Sequence, residues 1–471
     1  MEQRKPRQDD FTKRFDTIFA FLILEIIALA SFGIGGALGI RLLQIIGFFL
    51  SLFSIPFIQN NYTKQDLKPN LPWLIPLGLF CLLMGFSAFF FRAYGGFGLN
   101  SIVYMLLETL GLAGFFLLGV AANFIPVLKK EYLLYALLGG LALYCVIVGI
   151  YSLIRYGFFY AALYKGMFYY YQGVLYPVST EGKALLGFEF GEVSLKYGCL
   201  ASLLLGSSGA GLFALSPKME GRKFLILAAL AGVGILYSLF IPYLPALAFM
   251  AFVYVFAGLY CLLRHLLRND EKKRGVVQKV FVFIYFILIG IVTLGTLALL
   301  LDGKLHILSN LLKAVFGRVP GRLQVFFDAA NDAVYNGAVN ADLGRIDLMS
   351  LLFGYRTPTA GSLHLTSIFE LNVLWQNGFL AFGLLCFVIF FAFKQGRDYL
   401  REGKEDLHFR LAIAMMALAI FLYASLFADD QPIVHGQQLS FFTQSNYMMV
   451  SFFLLGLMTM PKKAKEVEVH E

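Results

Sequence analysis

The sequence predicts an all-α, polytopic integral membrane protein: about twelve transmembrane helices, with a large, partly helical outer loop between the ninth and the tenth. Three observations lead there. Hydrophobic residues make up 59% of the 471 and charged residues only 14%, with a mean hydropathy of +0.74, too little polar material to cover a water-facing surface. Apolar runs of 18 or more residues recur along the chain, and about 20 residues at 1.5 Å per residue cross a hydrocarbon core of roughly 30 Å. Finally, the basic residues gather in alternate connections.

Taken in order, the spans fall near residues 16–36, 38–58, 71–91, 101–124, 132–154, 192–215, 224–240, 244–263, 280–301, 367–393, 410–428 and 441–460. The pair around Pro242 and Pro245 reads either as one broken helix or as a tight hairpin. The basic start (Arg4, Lys5, Arg7, Lys13, Arg14) leads into a full-length apolar run without a small-residue cleavage site, so the first span is expected to stay as a helix. With both termini in the cytoplasm, the inner connections collect that cluster, Lys64 and Lys68, Lys129 and Lys130, Lys218, Arg222 and Lys223, the basic residues of 264–279, those of 394–410, and Lys462, Lys463 and Lys465. That is about 26 of the 38 basic residues, as the positive-inside rule requires. The net charge of +9 is therefore a topology signal. It does not indicate a nucleic-acid partner, which would need a clustered basic face on a soluble fold.

Cys81, Cys145, Cys199, Cys261 and Cys386 all lie inside spans, with no Cys-x-x-Cys spacing. They read as small apolar fillers, and neither a metal nor another cofactor is expected.

The chain forms one integral membrane domain, residues 1–471, with no soluble appendage and no clear repeat. Two outer segments stand out. Residues 155–191 are dense in aromatics (Phe158, Phe159, Tyr160, Phe168, Tyr169, Tyr170, Tyr171, Tyr176) and are expected to lie at the outer surface as interfacial helix. Residues 302–366 form the large outer loop. Two short amphipathic helices are expected over 305–334, broken near Pro320, and another near 346–353. This loop carries Arg318, Arg322, Arg345, Arg356 and His364. Cations outside run against the usual topology bias, so phosphate-bearing substrates are a natural reading. Asp302, Asp328, Asp332, Asp342 and Asp347 offset six cations and leave the loop near +1, which argues against a general polyanion trap.

The segment Gly344-Arg345-Ile346-Asp347-Leu348-Met349-Ser350-Leu351-Leu352-Phe353-Gly354-Tyr355, followed by His364-Leu365-Thr366-Ser367 and a long helix through Asn377-Gly378, resembles the O-antigen ligase and O-antigen polymerase superfamily. The resemblance covers about 40 residues, together with the layout of helices and late outer loop. It implies a metal-independent glycosyltransferase that takes a glycan from a polyprenyl-pyrophosphate-linked donor outside the membrane and passes it to an acceptor hydroxyl on a glycan or lipid. On that model Arg345 binds phosphate and His364 deprotonates the acceptor. Arg356, Arg318, Arg322, Arg92, Lys196 and His435 are the further candidates for substrate binding.

The chemistry of these side chains fits those roles. A guanidinium is permanently charged and forks onto phosphate oxygens, and a histidine titrating near pH 6.5 can take a hydroxyl proton at neutral pH. His364 stands about one helical turn further from Gly378 than the family's spacing. The outer turn Leu239-Phe240-Ile241-Pro242-Tyr243-Leu244-Pro245 lacks the arginine many members carry, and Arg92, Arg155, Lys196 and Arg41 are the cations near outer helix ends.

Plainer readings exist for several of these. Arg318 and Arg322 can snorkel to lipid phosphates, and Lys196 is placed to pair with Glu192 at i,i+4 spacing. His435 lies in an exposed acidic turn with Asp429 and Asp430. Glu25, Glu108 and Glu370 fall in spans, where a carboxylate costs about 2.5–3.5 kcal/mol to insert and needs a partner. The alternative function is a transporter or flippase for a lipid-linked or small anionic solute. Paired halves with broken helices would mark that class, and the single late loop favours the enzyme.

Overall fold

The computed structural model describes residues 41–61, 71–92, 113–122, 127–156, 192–214, 221–240, 244–266, 369–402, 407–426 and 446–459, four short strands between 168 and 189, and a few single positions elsewhere. The spans expected at 16–36 and 280–301, like almost all of the loop 302–366, lie outside the described residues.

The helices are α1 (Arg41–Leu52), α2 (Ser54–Asn61), α3 (Leu71–Arg92), α4 (Ala113–Ala122), α5 (Val127–Tyr156), α6 (Glu192–Ser208), α7 (Gly221–Phe240), α8 (Leu244–Leu266), α9 (Phe369–Glu402), α10 (Leu407–Leu426) and α11 (Asn446–Met458). A 3-10 turn, Gly209–Phe213, extends α6. The expected second span is divided between α1 and α2 at Phe53. Pro56 has no N–H to give the Leu52 carbonyl, so a continuous helix would lose a bond there. The open choice around Pro242 resolves into two helices, with Pro245 in the first turn of α8, where a missing N–H costs nothing.

Among the described residues, Gly221–Phe240, Ala246–His265 and Gly378–Leu400 are long and apolar enough to cross a membrane, with hydropathies of 2.0, 2.3 and 1.9. No more than a third of each stretch is buried within the protein. Leu225, Val255 and Phe387 stand 67%, 62% and 58% exposed. Apolar surface of that extent fits helices that cross a membrane. Shorter apolar helices run over Leu74–Leu83, Leu134–Ile150, Gly198–Phe213 and Leu407–Tyr423.

Residues 155–191 depart from the interfacial helix expected of them. They hold two antiparallel hairpins: β1 (Phe168–Tyr171) with β2 (Val174–Pro177), and β3 (Ala184–Leu185) with β4 (Phe188–Glu189). The physical reason lies in their sequence. Phe-Tyr-Tyr-Tyr and Val-Leu-Tyr favour strands, and each pair is joined by two residues ending in glycine, Gln172-Gly173 and Leu186-Gly187, a strong hairpin signal. Strand β2 lies against α8.

Helix α6 is the centre of the bundle, packed against α5, α7, α8 and α10. Small residues make this possible, because lipid tails provide no hydrophobic drive between helices and close backbone approach must supply the contact. A side chain added at Gly234 on α7 would meet the Gly206 amide at 2.6 Å and the Ser202 carbonyl at 2.7 Å. Ser202 Oγ donates to the Cys199 carbonyl at 2.7 Å. Its one proton being used there, Ser238 Oγ donates to Ser202 Oγ across the α6–α7 contact at 2.8 Å. Tyr254 of α8 donates to the Gly206 carbonyl at 2.7 Å. Helices α4 and α11 cross at Gly119 and Gly456, backbone on backbone.

Two arginines hold one end of the bundle. Arg264, in the last turn of α8, donates to the Leu400 carbonyl at 2.9 Å. Arg410, in the first turn of α10, donates to the Tyr399 carbonyl at 2.8 Å and lies over the Tyr399 ring, 4.8 Å from its centroid. The last carbonyls of α9 are thus met by cations, which the helix dipole also favours. Arg410→Met should therefore weaken this end by about 1–2 kcal/mol. A lower apparent melting temperature in detergent, with the exposed Arg222→Met as the control, checks this.

Candidate functional site

Among the predicted site residues, Arg345, His364, Arg356, Arg318, Arg322 and His435 lie outside the described residues. Arg92 is the last residue of α3. Lys196 lies in α6, one turn beyond its first residue, Glu192. Arg41 opens α1, and Arg155 is next to last in α5. The structure therefore puts the cations at helix ends, as the span assignments require.

It separates them as well. Helix α9 packs along α3, α10 and α11, whereas α5 and α6 pack on one another and on α7. Arg92 is thus carried by the neighbour of α9, while Arg155 and Lys196 belong to the α5–α6–α7 side. Helix α9 begins at Phe369, five residues after His364. At no more than about 3.6 Å per residue, His364 is tethered within roughly 18 Å of that helix start.

The feature of α9 that matters most for this region is its break. Gly378 has φ 78° and ψ −179° inside an otherwise helical stretch. That combination is essentially open to glycine alone, since a Cβ would clash with its own backbone. The residue is buried. Residues 369–377 therefore form a short segment set off in direction from 379–402. The signal in the sequence is the Asn377-Gly378 pair, a turn dipeptide inside a helical pattern.

A group of arginines marks the opposite end of α9. Arg264, Arg397 and Arg410 all lie at or near it, with Arg397 held by Asp398 at 2.7 Å. His408 is buried at the same end, its backbone carbonyl against Gly211. These residues fall within 264–279 and 394–410, stretches expected to be cytoplasmic. The described cysteines sit in helix contacts, such as Cys145 Sγ on the Gly198 carbonyl at 3.6 Å. Among the described residues no three His, Cys, Asp or Glu side chains come together as a metal site would require.

No protein-family model matches the chain, and neither a curated protein nor a solved structure is significantly similar to it.

Proposed function

We propose that the chain is a twelve-span plasma-membrane glycan polymerase or ligase with cytoplasmic termini, transferring sugar units at the outer face to an acceptor hydroxyl in cell-surface polysaccharide synthesis. The donor is a glycan linked to a polyprenyl pyrophosphate. The acceptor oxygen attacks the anomeric carbon as the bond from that carbon to the phosphate oxygen breaks. The electron pair leaves with the lipid pyrophosphate, and the hydroxyl proton passes to His364. Arg345 stabilises the charge growing on the departing pyrophosphate. Arg356, Arg318, Arg322, Arg92, Lys196 and His435 hold the head group and the glycan. The donor carries its own activation, in keeping with cytoplasmic connections too short for a nucleotide-binding domain.

One observation carries this reading: a Gly344-Arg345 pair and His364 in an Arg-bearing stretch of sequence, 302–366, shortly before the long helix α9, on a chain with three described helices long and apolar enough to cross a membrane. Its first requirement is sidedness. An Asn340→Cys variant should react in whole cells with a membrane-impermeant maleimide, and Lys404→Cys only after permeabilisation. The reverse pattern would put residues 302–366 inside and remove the proposal.

A transporter of a lipid-linked solute is the second reading. The break at Gly378 favours it, since discontinuous helices often form transport sites. Against it stands the absence of two corresponding halves in the sequence.

A further inference from the structure

We infer that Gly378 is a swivel, which lets residues 369–377 reorient while residues 379–402 stay fixed as an anchored rod. The inference goes beyond the transfer reaction and does not depend on it.

Two independent sets of contacts support it. The first is the fixed part. Below the break, Ala381, Phe382, Leu385, Tyr399 and Leu400 are buried, and α9 is packed along α3, α10 and α11. Its far end is tied from two sides, to α8 through Arg264 and the Leu400 carbonyl, and to α10 through Arg410 and the Tyr399 carbonyl. A rod held along its length and at its foot has little freedom to tilt.

The second is the break itself. At φ 78° and ψ −179°, Gly378 leaves the helical path, so the amides of 379–381, whose bonds would span it, lose their acceptors four residues back. Those hydrogen bonds make a helix rigid in bending, and without them the direction of the outer segment rests on the two dihedrals of Gly378 and on side-chain packing such as that of the buried Val373. Glycine crosses between positive and negative φ without a Cβ clash. A second, continuous-helix conformation is therefore open to the same residue by rotation at one position. The swivel thus sets the direction in which residues 369–377 leave the anchored rod.

The test uses the full chain in lipid nanodiscs, with nitroxide labels on Leu374→Cys and Phe387→Cys and the distance between them read by pulsed electron resonance. In a continuous helix these positions are about 20 Å apart. With Gly378 the distribution should spread over more than one spacing and depart from that value. With Gly378→Ala, whose Cβ forbids the broken geometry, it should contract to a single narrow peak near it. Identical distributions in the two proteins would overturn the inference. Should the alanine variant fail to insert, hydrogen exchange on the unaltered protein decides. The amides of 379–381 should exchange at least tenfold faster than those of 384–390, and equal protection would overturn the swivel. Neither readout involves glycan transfer, so loss of the proposed enzymatic function would leave this result standing.

Discussion

Arg345→Ala and His364→Ala should each stop glycan transfer while the protein remains inserted at its normal level. The size of the loss follows from what each group does. A general base contributes about 10²- to 10⁴-fold, and removing a group that stabilises developing negative charge costs a similar 10²–10³-fold. Arg345→Lys should recover only part of the activity, because an ammonium keeps the charge but loses the planar fork onto two phosphate oxygens. The histidine adds a pH signature. It must be neutral to accept a proton, so the rate should fall on the acid side of its pH profile. In His364→Ala the residual rate should lose that acid limb. Full-length polysaccharide in both alanine variants, measured as glycan ladders from intact cells, would rule out the assigned roles.

Gly119→Val should be the most damaging change to the fold. A Cβ at Gly119 meets the Phe453 carbonyl, the Leu457 amide at 2.8 Å and the Gly456 Cα at 2.9 Å. From the other side, a Cβ at Gly456 meets the Phe116 carbonyl, with Gly119 Cα and the Val120 amide both at 3.0 Å. These neighbours are backbone and cannot rotate away, so α4 and α11 must separate. Overpacking in a core typically costs about 1–3 kcal/mol, and a clash with backbone belongs at or above the top of that range. The contrast is Gly232→Ala, in α7, where nothing stands within 4 Å of the new methyl group. There the gain in helix propensity, about 0.5–1 kcal/mol, should leave stability unchanged or raised. Monodisperse yield in detergent and thermal unfolding measure both; equal behaviour of the two variants would contradict the crossing.

Length and hydropathy are sufficient to recognise three spans among the described residues, Gly221–Phe240, Ala246–His265 and Gly378–Leu400, each within a run that the sequence marks as apolar. Their ends were less legible. The tenth span reads as ending at Phe393, yet α9 continues to Glu402. Tyr399 and Leu400 are buried against neighbours, so protein contacts help to extend the helix. Residues 168–189 show a different ambiguity. Aromatic density suits a membrane-surface helix and a strand equally, and the glycine-ended two-residue connections decided for hairpins. At the candidate site, Gly378 was visible as a glycine near the middle of a long helix, but its positive φ was not. The Arg264 and Arg410 contacts were equally hidden, because they join residues more than a hundred positions apart or across a turn.

The most direct measurement is reconstitution of the purified protein in liposomes with a polyprenyl-pyrophosphate-linked oligosaccharide and no nucleotide. The account predicts longer glycan chains, or glycan on an added lipid acceptor, with lipid pyrophosphate released in equal amount. Movement of the intact donor across the bilayer with no new glycosidic bond would contradict it, and would make the chain a transporter.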